Sequence, residues 1–218
     1  MKTILTAAYF GLKTVQPFLN LVYSGYSTAN GYLNCNMIPS ENIIVNTHKW
    51  IEDVVVGCNF CPFAARELAR DSVRFTVIEK GDIGTSLQAF LDECIYLDEN
   101  PGTETSFLII TEGFSDFLAY LDLVGLAEEL LENEGFEGIY QVASFHPEYM
   151  FEGSPADDPA NYTNRSPYPM LHLLREESIE KALEHYKGDP EEIPGRNVDF
   201  AREKGIVYMK MLRDLSMK

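Results

Sequence analysis

Basic residues are scarce in this chain: 17 Lys and Arg stand against 34 Asp and Glu over 218 residues, a formal net charge of −17. A surface so acidic repels phosphate, which argues against nucleic acid and anionic membranes as partners. Cysteine is also sparse. Four (Cys35, Cys58, Cys61 and Cys94) in a chain of this length make no disulfide framework and fit a reducing compartment, the cytoplasm. No uninterrupted apolar run reaches the ~20 residues of a membrane-spanning helix. There is no Gly-rich phosphate loop, no Gly-x-Ser-x-Gly elbow, no dinucleotide fingerprint and no paired spacing of a zinc site. These absences leave an acidic, soluble protein whose function must rest on a local site.

Acidic residues are missing altogether from residues 1–40, where only Lys2 and Lys13 are charged. This stretch reads as an extension of unclear order. Its apolar run 4–12 behind one Lys keeps organellar or exported targeting open as an alternative to the cytoplasm. A single globular domain is expected over 41–205, with 206–218 as a C-terminal tail.

Within that domain, Thr47 can cap a helix with Trp50, Ile51, Val54 and Val55 on one face. Gly57 and Asn59 break it, and Pro62 opens a second short helix to about residue 70. β-branched or apolar runs predict strands at 73–79, 106–111, 139–145 and 170–175. Leu87, Phe90, Leu91, Cys94 and Ile95 follow the spacing of an amphipathic helix, which leaves Cys94 a packing residue. Ser115 can cap another helix, inward at Phe117, Leu121, Val124 and Leu131 and ending at Gly135. Further helices are predicted at 178–186 and 196–204. This order gives an α+β fold: a mixed β-sheet of about four strands covered by helices, with an N-terminal helical pair.

Three places could carry chemistry. Cys61, just before Pro62, would sit at a helix N-terminus, where the dipole favours thiolate. Cys58 stands one CxxC interval upstream, so the two could form a redox pair or fill a buried corner between helices. His146 follows the third strand and could serve as general base, metal ligand or turn-capping residue. His172 shares a strand face with Met170 and Leu174. With His146 and a carboxylate it could complete a metal site, although no ligand spacing requires one. The stretch 161–169 (NYTNRSPYP) places Asn161, Asn164 and Arg165 among stiffening prolines, with Arg175 shortly after. Arg165 and Arg175 are the candidate anchors for an anionic ligand.

The segments WIEDVVVGCNFCPFA (50–64), QVASFHPEYMF (141–151) and NYTNRSPYPMLHLLRE (161–176) together resemble a mainly bacterial family of conserved hypothetical proteins, domain of unknown function 1415. The likeness runs in the same order from about Asn46 to Lys204. Cys61, Pro62, Phe63, His146, Pro147, Asn161, Asn164, Arg165, Pro167, Pro169, His172 and Arg175 match the family pattern. Cys58 departs from it, since an apolar residue is usual there, and this leaves Cys61 as the thiol of any shared chemistry. The resemblance implies no particular activity, cofactor or substrate. The residues themselves suggest a small-molecule enzyme with Cys61 as nucleophile or redox thiol and His146 and Arg165 in a shared pocket. The alternatives are a metal-dependent enzyme through His146 and His172, or a non-catalytic binding protein for an anionic ligand or peptide.

Overall fold

The computed structural model describes residues 40–218, so the expectations for the N-terminal extension and Cys35 lie outside the described residues. Helix α1 (Ser40–Trp50) runs on as a π-helical stretch over Ile51–Val56, and short helix α2 (Ala64–Ala69) follows. Then come β1 (Val73–Ile78), α3 (Ile83–Glu99), β2 (Thr105–Ile110), α4 (Phe117–Asn133) and β3 (Tyr140–Phe145). A 3-10 turn at Pro159–Thr163 precedes β4 (Met170–Arg175), α5 (Glu176–Glu184) and α6 (Glu192–Leu215). The fold is α+β, as the element order implies, and α1 with α2 is the N-terminal helical pair.

Helix starts differ from expectation where a better acceptor stands nearby. Thr47 lies inside α1, where its hydroxyl donates back to the Ile43 carbonyl at 2.9 Å. Asp116, not Ser115, caps α4, accepting from the Ala119 N–H at 2.9 Å. Asp82 caps α3 in the same way through Thr85, at 2.8 Å. Residues 206–215, expected as tail, continue α6 beyond a break at Gly205 (φ 77°). Met209 beyond that break is fully buried, so packing holds this last stretch in place.

The sheet order is β1-β2-β4-β3. β1 and β2 are parallel, and β4 runs antiparallel to both β2 and β3. Phe107, His172 and Ala143 therefore stand opposite one another across β2, β4 and β3. α3 and α4 cover one face through Phe90, Leu97, Leu108, Tyr120 and Leu173. On that face the buried Glu93 carboxylate accepts from Arg74 Nε at 2.9 Å, from Thr76 at 2.8 Å and from Ser106, tying α3 to the first two strands. Trp50, Val54, Phe107, Ile109, Ala201 and Met209 form the core of the other face, under α1, the π-helical stretch and α6. Among the described residues no helix is long and apolar enough to cross a membrane.

Candidate functional site

The second face of the sheet is not filled to its edge. A cavity of about 150 Å³ lies over Phe107, Ala143 and His172, walled by Trp50, Phe60 and Phe63. Local geometry explains how Cys61 reaches its wall. The π-helical stretch ends at Gly57, whose N–H reaches back to the Glu52 carbonyl at 2.9 Å. A side chain at Gly57 would stand 2.3 Å from the Asp53 carbonyl oxygen, so this wide turn needs glycine. Asn59 then takes a left-handed conformation (φ 56°), which Asn tolerates, and reverses the chain. From α6, Arg196 donates to the Asn59 carbonyl at 2.6 Å and Asn197 to that of Phe60 at 2.8 Å.

Cys61 lines the cavity but is not the activated thiolate that a helix N-terminus would favour. α2 begins only at Ala64, with Phe63 in the capping position. Burial pushes the Cys61 thiol up, against the smaller opposing effects of the Phe63 and Ala64 N–H groups and Arg196. Cys58 is a free thiol too, pushed up to about 11 by burial. Cys94 packs in the opposite core, where burial and the nearby Asp98 and Glu93 carboxylates push it up to about 12.

His172 sits on the cavity floor, its ring stacked on Phe107 with centroids 3.8 Å apart. Its Nε2 lies 2.6 Å from the Thr105 hydroxyl. Burial pulls its pKa down to about 3, so the ring is neutral at physiological pH.

The other expected residues lie elsewhere. His146 is fully buried at the far end of β3, three residues beyond the position opposite His172. Its ring packs against Phe117 and Tyr120 of α4, on the side of the sheet away from the cavity. Nε2 donates to the Phe114 carbonyl at 2.9 Å, and Nδ1 accepts from the Glu148 N–H at 3.0 Å. Both nitrogens are engaged, and burial lowers its pKa. The expected meeting of Cys61, His146 and Arg165 in one pocket is thus not formed. Nor do His146 and His172 converge, and among the described residues no three His, Cys, Asp or Glu cluster as a metal would need.

Asn161, Asn164 and Arg165 are turned onto their own chain. Arg165 donates to the Tyr149 and Ala156 carbonyls, each at 3.0 Å, with its guanidinium over the Tyr162 ring. Asn161 accepts from Phe151 N–H at 3.1 Å and donates to the Pro155 carbonyl at 2.9 Å. Asn164 donates to the Ser144 carbonyl at 3.3 Å. These bonds give the irregular connection 146–169 the backbone partners that it would otherwise lack. Arg175 reaches the cavity edge, but its guanidinium donates to the carbonyls of Leu97, Asn100 and Thr103 and to the Tyr140 hydroxyl. It fastens the C-terminal end of α3.

Of the expected site residues, then, the cavity unites Cys61, His172 and the edge of Arg175. Sequence reasoning missed Thr105, Phe107 and the pinning pair Arg196 and Asn197. Phe107 carries only a strand signal, Thr105 stands one residue before the expected strand, and nothing local links residues 196–197 to a turn at 59–60. No curated protein and no solved structure matches the chain. Residues 42–211 do match the family described as Protein of unknown function (DUF1415), a span that reaches past the Gly205 break, and the chain belongs to that family.

Proposed function

We propose that this protein binds a compact, largely apolar small molecule in the cavity over His172. The observation that carries this reading is the cavity itself: about 150 Å³, with aromatic walls from Trp50, Phe60, Phe63 and Phe107. An apolar cavity of roughly this volume accommodates a single benzene-sized ring. Charge does not define the site. The guanidinium of Arg175 is committed to carbonyls, and the acidic residues at the wall are Glu67 and Glu104, which disfavour an anion. These features support an uncharged ligand over the anionic one that the sequence suggests.

Cys61 on the same wall keeps thiol chemistry in view, with His172 rather than His146 as the histidine that lines the same cavity. Energetics count against it. The Cys61 thiol lies above the ordinary 9.0 and His172 at about 3. Both shifts oppose transfer of the proton from the thiol to the imidazole, because burial disfavours the charged form of each. A resting thiol and a resting imidazole line a ligand cavity without making a primed nucleophile.

Calorimetric titration with toluene tests the reading. Saturable one-site binding is expected in the native protein and loss of it in Ala143→Leu, which fills the cavity from its floor. Binding that survives this substitution in a folded variant overturns the assignment.

A further inference from the structure

The cavity has a hydrogen-bonding sense, and the inference drawn from it rests on the ligand-binding reading above. It begins at Thr105, whose hydroxyl has one hydrogen and two close neighbours. These are the Leu173 carbonyl oxygen and Nε2 of His172, the latter at 2.6 Å. A carbonyl oxygen can only accept, so the hydroxyl hydrogen goes to Leu173. The hydroxyl oxygen then accepts, and Nε2 must carry the hydrogen that it accepts. His172 is thereby held in the Nε2–H tautomer, and its Nδ1 keeps a free lone pair. Nδ1 has no hydrogen-bond partner among the described residues. His146 offers the contrast: it has the same tautomer, but its Nδ1 already takes the Glu148 N–H.

The rest of the polar wall has the same sense. Glu104 accepts from the Ser178 hydroxyl at 2.6 Å and retains further acceptor capacity. Glu67 accepts from Ser72 at 2.8 Å and pairs with Arg66. Thr105 has committed its one hydrogen to the strand. The donors of Arg175 point to the end of α3. Apart from the Trp50 indole N–H, the Gln141 amide and the weakly donating Cys61 thiol, a ligand in this cavity therefore meets acceptors.

We infer that the cavity selects a compact apolar alcohol, a neutral molecule that donates its hydroxyl hydrogen to His172 Nδ1, over a carboxylate of the same size. A carboxylate has no hydrogen to give Nδ1, and it would stand beside the Glu67 and Glu104 carboxylates, which repel it. A cation would meet acceptors too, but it would lose its hydration against walls that are mostly apolar. Toluene, benzyl alcohol and benzoate share one ring and separate these cases.

The test compares the three probes in the native protein and in His172→Phe, which keeps the ring and its stacking on Phe107 but deletes the lone pair. Toluene affinity should change by less than about twofold on substitution, whereas benzyl alcohol should weaken about tenfold, the worth of one well-made hydrogen bond. Benzoate should bind the native protein at least about tenfold more weakly than benzyl alcohol. Benzyl alcohol that weakens no more than toluene, or benzoate that binds as well, overturns the inference. Failure of toluene to bind the native protein is a different result, because it removes the cavity reading itself. Should His172→Phe not fold, ¹⁵N NMR of the His172 ring in the native protein decides the matter. Expected are a protonated Nε2 and a bare Nδ1 whose resonance moves with benzyl alcohol and not with toluene; a proton on Nδ1 overturns the inference.

Discussion

A neutral histidine in an apolar pocket makes folding sensitive to acid. His172, at about 3, and His146, also lowered, both owe their depression first to burial. Their unfolded value is near 6.5, so between the two values the unfolded chain binds more protons than the folded one. Their contribution is therefore complete above about pH 6.5 and is lost progressively as pH falls toward the folded values. The thermal midpoint of the native protein should drop between about pH 6.5 and about pH 4 more steeply than that of His172→Phe. Differential scanning calorimetry across that range checks it, and parallel slopes would show that His172 does not resist protonation in the fold.

Among elements, two glycines give opposite expectations. Gly113 follows β2 with φ 114°, and a Cβ there would stand 1.9 Å from the Gly81 carbonyl oxygen. Gly125 is exposed inside α4 and a Cβ would meet nothing within 4 Å. Gly113→Ala should cost at least about 2 kcal/mol, while Gly125→Ala should gain roughly 0.5–1 kcal/mol. Urea midpoints of the two variants measure both. Three strands are legible because Val, Ile, Thr and Phe recur in short runs, and β4 is legible as a run of Met and Leu that starts after Pro169. All four lie within a residue of their expected bounds. Placement of the chemistry was less legible. His172 lies on the strand that the sequence predicts for it, yet its Thr105 partner lies 67 residues away and depends on the β2–β4 register. Arg165 and its two Asn neighbours have the composition of a ligand-gripping loop. A long connection that must satisfy its own carbonyls needs the same composition, and only coordinates separate the two.

At the scale of the whole molecule, net charge is the dominant electrostatic fact. With −17 on the chain, diffuse repulsion opposes compactness. Several ion pairs that salt would weaken, such as Lys49–Asp53 and Lys181–Glu177, are exposed and contribute little. Screening should therefore stabilise on balance: raising NaCl from low salt to about 0.5 M should lift the thermal midpoint by about 2–5 °C. A midpoint that falls with salt would mean that attractive pairs outweigh the repulsion.

The single tryptophan, Trp50, is fully buried, edge-on to Phe145 at 5.2 Å, and forms part of the cavity wall. Its indole N–H has no hydrogen-bond partner among the described residues. Tryptophan fluorescence thus comes from one chromophore, in an apolar setting and beside the proposed ligand. Emission should lie toward the blue, and a change in its intensity on adding a candidate compound reports occupancy of that wall without any label. The protein contains its own optical probe for the molecule proposed to bind there.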